Sequence, residues 1–147
     1  MKRTVILEQI IAEQNKIISN LEETVGNYRK ASDMDEESTH DPEDFSHQSE
    51  AKDMQLRYEK LLGDANQNLV FLENEKEILH SEIENGSVVE TDKNFLFVGI
   101  SVPVFKIGDK DVISFSEEAP IFAKLKGKKI GDTVEIGDNK LIIQSFN

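Results

Sequence analysis

Seven carboxylates fall within residues 33–44 (Asp33, Asp35, Glu36, Glu37, Asp41, Glu43 and Asp44), and no Lys or Arg stands among them. Unpaired like charges at this density repel one another and contribute nothing to a fold by themselves. They become useful when they meet a cation, and hard divalent ions such as Mg²⁺ take carboxylate oxygens while keeping several waters. The stretch has neither the Asp/Asn pattern nor the central Gly of an EF-hand loop, and a closed cage of protein ligands is not expected. What remains is a loose Mg²⁺ site or a solvated acidic loop. His40 and His47 flank the run, and His47 falls three residues before Glu50. Two histidines among acids suit a transition metal, but exposed histidines beside acids are more often simply solvated.

Other chemistries find less material. There is no cysteine, which removes disulfides, thiolate metal sites and cysteine nucleophiles. Gly127-Lys128-Lys129 lacks the upstream Gly and the following Ser/Thr of a phosphate-binding loop. Lys124, Lys126, Lys128 and Lys129 form a small basic cluster, either a solvated rim or a contact for an acidic patch on a partner. Net charge is −12 over 147 residues. Duplex DNA or RNA is therefore a poor main ligand, since polyphosphate binding needs cations to replace counterions.

The acidic run needs elements to hold it. Leu7, Ile11, Gln14, Ile18, Leu21, Val25 and Tyr28 follow alternating steps of four and three, a heptad row with one polar intruder. Tyr58, Leu62, Ala65, Leu69, Leu72, Lys76, Leu79 and Ile83 repeat the pattern, with Lys76 as the intruder. Each row is one narrow stripe, so the two helices are expected to cover each other as an antiparallel pair. A first helix from about residue 3 to residue 33 would run roughly 45 Å. Asp41-Pro42-Glu43-Asp44 reads as the start of the second helix: a capping Asp, Pro at the first helical position, acids in the first turn. That argument sets the turn near residues 36–41. Pairing positions that sum to 90 would instead oppose Gln14 to Lys76 and move the turn to about residue 45. Gln14 and Lys76 are expected to fix pairing or to snorkel, and His80, beside the stripe at Leu79, to point to solvent.

Composition changes at Asn85-Gly86, a pair that also reads as a helix stop. Residues 1–85 hold 20 acids and 9 bases, and residues 86–147 hold 9 acids and 8 bases. Two domains are expected: 1–85, a helical hairpin with an acidic tip, and 86–147, a small β-rich domain. Strands are expected over 87–91, 94–98, 102–107, 112–115, 134–136 and 141–146, with a helical turn within 117–125. Gly108-Asp109 and Gly137-Asp138-Asn139 are the turn signals between them. The class is α+β. No apolar stretch approaches the roughly 20 residues of a membrane helix, and the N-terminus meets Glu8 too early for a signal peptide. A cytoplasmic, monomeric protein with no membrane contact is the expectation.

The second half carries a resemblance. Ile113-Ser114, then Ala119-Pro120-Ile121-Phe122-Ala123-Lys124-Leu125-Lys126-Gly127-Lys128-Lys129-Ile130-Gly131-Asp132-Thr133-Val134, is similar to the Ser-Pro-hydrophobic-Ala, Leu-x-Gly-Lys and Gly-Asp-x-Val run of the Gre family of bacterial transcription elongation factors. Gly86-Ser87-Val88-Val89 resembles the entry to the same domain, and the order of hairpin then FKBP-like β domain covers nearly the whole chain. The resemblance implies a protein that binds RNA polymerase and is not itself an enzyme. Its hairpin would enter the secondary channel, and tip acids spaced Asp-x-x-Glu would help hold a catalytic Mg²⁺ shared with the polymerase, near the RNA 3′ end. No cofactor would be bound stably by the chain alone. Asp41 and Asp44 match the spacing with Asp in place of Glu, and Asp33, Asp35 and Glu36 form the competing set. Docking on the channel rim would fall to the β domain, with Pro120, Ile121, Phe122 and Lys124 as its contacts.

The chain departs from the family in a longer, more acidic tip without the flanking Asn and small residues, and in lacking an evident basic patch along the hairpin. Inhibitory relatives occupy the channel without promoting cleavage, and that reading stays open beside the first. An FKBP-like prolyl isomerase would ordinarily line its pocket with aromatics including Trp, and this chain has none. A plain coiled-coil scaffold explains the stripes but not the acids.

Overall fold

The computed structural model describes residues 2–32 and 42–147, with side chains in the second helix from Ser46 onward. The elements run α1 (Lys2–Ser32), α2 (Pro42–Glu75), β1 (Val88–Thr91), β2 (Asn94–Val98), β3 (Phe105–Ile107), β4 (Lys110–Phe115), α3 (Pro120–Leu125), β5 (Thr133–Ile136) and β6 (Asn139–Phe146). The architecture is α+β: two N-terminal helices that pack together, then a mixed β-sheet domain. The chain divides into two compact units, Gln14–Val70 and Met1–Glu13 with Phe71–Asn147.

In the unit Gln14–Val70 the helices run antiparallel. Tyr28 and Tyr58 stack with centroids 5.6 Å apart and planes 11° from parallel. Arg29 Nη2 meets Glu59 Oε1 at 2.9 Å, and Gln14 Nε2 donates to the Ala65 carbonyl at 3.0 Å. The heptad row of α1 is buried or half-buried throughout, and Gln14 is 2% exposed. Gln14 therefore fixes pairing, as expected of an intruder, but its partner is Ala65 and the register that opposed it to Lys76 is excluded. α2 begins at Pro42, where the missing amide of proline costs the helix nothing.

In the other unit the six strands form one sheet ordered β3-β4-β2-β1-β6-β5. β2 and β4 are parallel and all other neighbours antiparallel. Val89, Leu96, Val98, Leu141 and Ile143 turn to one face, where Ile83, Phe115, Leu125 and Val134 complete the core. Phe95 and Phe97 alternate to the other face and are buried there as well. Strands covered on both sides read as continuous apolar runs, which is the pattern of Asn94–Val98. β3 is shorter than the expected 102–107. The Val102 amide is held by Ser114 Oγ at 2.8 Å, and Pro103 has no amide to give a ladder.

The largest departure lies at the end of α2. The heptad row continues to Ile83, yet the helix stops at Glu75. The Glu75 carbonyl accepts from the Ile78 amide at 3.1 Å, a tightened last turn, and from Arg3 Nη2 at 3.0 Å. Beyond it Lys76 pairs with Glu73 at 3.3 Å, Leu79 is 69% exposed, and Ile83 joins the β core. Gly86 is a turn residue eleven positions past the helix end, at φ +97°, where a side chain would run into the Glu75 carboxylate.

Candidate functional site

Three places bear on chemistry. The first is the acidic run. Asp33, Asp35, Glu36 and Asp41 lie outside the described residues, as does His40; Asp44 falls in the first turn of α2 with its side chain outside them. What the structure gives is the ground on which the run is mounted. Ser32, the last residue of α1, donates from Oγ to Gln55 Oε1 at 2.8 Å, and its carbonyl accepts from Gln48 Nε2 at 2.9 Å. Gln55 Nε2 in turn reaches Glu59 Oε1 at 2.9 Å. Bonds from Gln55 and Arg29 hold the Glu59 carboxyl below its ordinary pKa. The cation of Arg29 is thus committed to Glu59. His47 is exposed on α2. Among the described residues no group of three or more His, Asp or Glu side chains gathers to hold a metal.

The second is α3 with its flanks. Pro120 opens the helix after Ala119, which makes no side-chain cap, and Leu125 is buried in the core. Ile121 and Phe122 are half-buried against that core, while Pro120 and Lys124 are exposed. Phe122 also lines a cleft of about 330 Å³ shared with Ile83, Glu84, Glu117 and Lys126. Of the four residues expected to contact a partner, two present surface and two support it from beneath.

The third was not legible in advance. Arg3, 4% exposed, donates from Nη1 to the carbonyls of Gly86 and Asn147, both at 2.8 Å, and from Nη2 to the Glu75 carbonyl and Oε2, both at 3.0 Å. Its Nε is buried without a partner. His80 Nε2 meets Glu75 Oε2 at 2.8 Å, and Nδ1 meets Glu84 Oε1 at 2.6 Å. The His80 side chain is 7% exposed, so it does not point to solvent. Two acidic partners five residues before and four after it draw the ring inward. Burial lowers the Arg3 pKa against the opposing pull of Glu75. Burial also presses the His80 pKa down, but the bonds to Glu84 and Glu75 outweigh it and the net shift is upward. Such a node is structural: removing one partner of a buried pair costs about 3–5 kcal/mol, because the other charge is left uncompensated. The one sequence signal for it is an Arg at position 3 inside the row of apolar residues Ile6, Leu7 and Ile10.

Beside this node, Lys2 and Lys110 each place an ammonium 5.4 Å from the Phe95 ring centroid, and both pair with Glu90, at 2.9 and 3.2 Å. The Glu90 pKa is lowered, chiefly by the bond from Lys2. The recess lined by Lys2, Arg3, Glu90 and Phe95 measures about 210 Å³. No family model, no curated protein and no solved structure matches this chain.

Proposed function

We propose that this chain is a polymerase-channel factor akin to the Gre family, with an antiparallel coiled-coil hairpin followed by an FKBP-like β domain. It binds RNA polymerase, inserts its paired helices in the secondary channel, and lends carboxylates to the enzyme's catalytic Mg²⁺ during cleavage of backtracked transcripts. One observation carries the reading: two helices that run antiparallel, α1 ending at Ser32 and α2 beginning at Pro42, are joined by a stretch with five carboxylates, two more stand in the first turn of α2, and no Lys or Arg falls among the seven. Pro120 at the head of α3, within the run that resembles the family's docking domain, supports it.

Asp41 and Asp44, or the competing set Asp33, Asp35 and Glu36, would supply oxygen ligands, and a donor set of hard oxygens alone suits Mg²⁺. Held by these residues, the ion would supply Lewis-acid charge for a phosphoryl transfer. The chain's own part is charge compensation and delivery, with the polymerase remaining the enzyme. Ser32, Gln48 and Gln55 fasten the end of α1 from which the acidic run departs.

The test uses stalled, backtracked elongation complexes with Mg²⁺, scored for shortened RNA with and without the protein. Wild type is expected to speed shortening. Asp41→Ala/Asp44→Ala should bind polymerase nearly as wild type while losing about a hundredfold of the stimulation, the lower end of what a lost catalytic electrostatic contact costs. Undiminished stimulation by the double variant would move the site to the competing set, and no binding to polymerase would end the proposal. The excess of acid favours a second reading, an inhibitor of the same channel, which the same assay reports as slower shortening. The isomerase reading gains no support from a small recess lined by Lys2, Arg3 and Glu90 around one Phe.

A further inference from the structure

A groove of about 530 Å³ runs between α3 and β5, lined on one side by Lys124, Lys126 and Lys128 and on the other by Thr133, Val134 and Glu135. Two independent features meet there. The first is charge. In a protein of net charge −12, three lysines line one groove, and none of them enters an ion pair among the described residues. The acid of the far wall, Glu135, is offset by Lys140 at 3.7 Å. The second is an open main-chain edge. β5 is the last strand of the sheet and pairs only with β6. Main-chain groups of an antiparallel strand point alternately at the partner and away from it. The hairpin closes on the Ile136–Asn139 pair, and the Ile143 amide donates to the Asp132 carbonyl at 2.9 Å. By that alternation the amide and carbonyl of Thr133 and Glu135 face away from β6.

An unpaired edge beside a cationic wall is a site for an extended peptide: the edge supplies main-chain bonds, and the wall selects side chains. We infer that the α3–β5 groove docks an acidic, extended segment of a partner protein, which adds to β5 as a further strand with its carboxylates against Lys124, Lys126 and Lys128. Nucleic acid fits less well. The lining has no aromatic side chain for a base to stack on and no Arg fork for phosphate, and the surrounding charge repels a polyanion over longer range. Lys124 also belongs to the docking set proposed above, so the inference rests on that reading for the element and deepens it by naming the partner's chemistry.

The probe is a short fluorescein-labelled peptide of alternating Glu and Val, titrated into the full chain and followed by anisotropy, with amide NMR shifts to locate it. Expected are binding that weakens with added salt, shifts concentrated at Thr133–Ile136, and a loss of at least about tenfold in Lys124→Glu/Lys126→Glu/Lys128→Glu. The matching triple Arg variant keeps the charge and should keep the affinity. Equal binding by the charge-reversed protein, shifts away from β5, or tighter binding of a single-stranded RNA would each overturn the inference. A wild type that binds polymerase but not the peptide would sink the groove alone and leave the channel reading standing.

Discussion

His80 is held by carboxylates on both ring nitrogens, Glu75 at 2.8 Å and Glu84 at 2.6 Å, with Arg3 sharing Glu75 from the other side. A ring bridging two anions is best served by carrying both protons, which is the physical content of its raised pKa. The linkage has a definite sign. The stability His80 contributes is complete below the ordinary histidine value of about 6.5 and is lost as pH rises through the higher folded value. Glu84 and Glu90 act in the opposite sense. Their pKa values are lowered by bonds to His80 and Lys2, so their contribution is present above the ordinary glutamate range and lost as pH falls through the folded values. Stability should therefore decline as pH rises above the ordinary histidine value of about 6.5, earlier than lysine titration would bring about. Urea midpoints measured from pH 6 to pH 9 are expected to fall in wild type and to stay flatter in His80→Gln. An identical slope in both proteins would mean that the imidazole does not titrate against Glu75 and Glu84.

At the scale of elements, the helix pair is set by a narrow stripe whose polar member does the aligning. Gln14 spends its amide on the Ala65 carbonyl, a group that already has a main-chain partner within α2. A polar residue at such a position fixes register at a cost in stability. Gln14→Leu is expected to stabilise the helical unit by about 1 kcal/mol, read as a raised thermal midpoint of the helical signal, while broadening NMR lines near Ala65 as neighbouring registers become accessible. A lowered midpoint would show instead that the bond to Ala65 stabilises more than a buried Leu. The same logic explains what could be read from the residues. The heptads and the β-branched runs between glycine turns were legible because each repeats a local rule, and Pro42 marked a helix start by its own chemistry. The register was not legible, since one side-chain bond to a carbonyl 51 residues away decides it. Nor was the end of α2, because the stripe from Tyr58 to Ile83 persists while the helix stops at Glu75, whose carbonyl takes a bond from Arg3, 72 residues away in sequence. Of the candidate site, the helical turn within 117–125 was legible, and so was Phe122 as an aromatic suited to a core. The inward turn of Ile121 was not, because it depends on where Leu125 meets a core assembled from distant strands.

Charge and burial divide unequally over the whole molecule. The unit Gln14–Val70 holds 13 acids and 6 bases, and the unit Met1–Glu13 with Phe71–Asn147 holds 16 acids and 11 bases. Ile6, Leu7, Ile10, Leu72, Val89, Leu96, Phe97 and Val98 are all fully buried, and every one belongs to the second of these units. Ile18, Val25 and Ala65, the best-covered apolar residues of the other, retain some exposure. Few sealed contacts and many exposed helical hydrogen bonds give a low opening free energy, and crowded like charge lowers it further. Amide exchange should therefore be faster in Gln14–Ser32 and in the α2 residues up to Val70 than in β1, β2 and β6. Added salt screens exposed charges within a Debye length of about 10 Å at 0.1 M. Raising it should slow exchange in the helical unit more than in the strands, because burial dominates in the strands and repulsion acts chiefly on the helices. Mass-resolved exchange on the full chain at low and high salt reads both effects at once. Equal protection of the two units, or strands that respond to salt as strongly as the helices, would show that the acidic half is held by contacts stronger than its stripe.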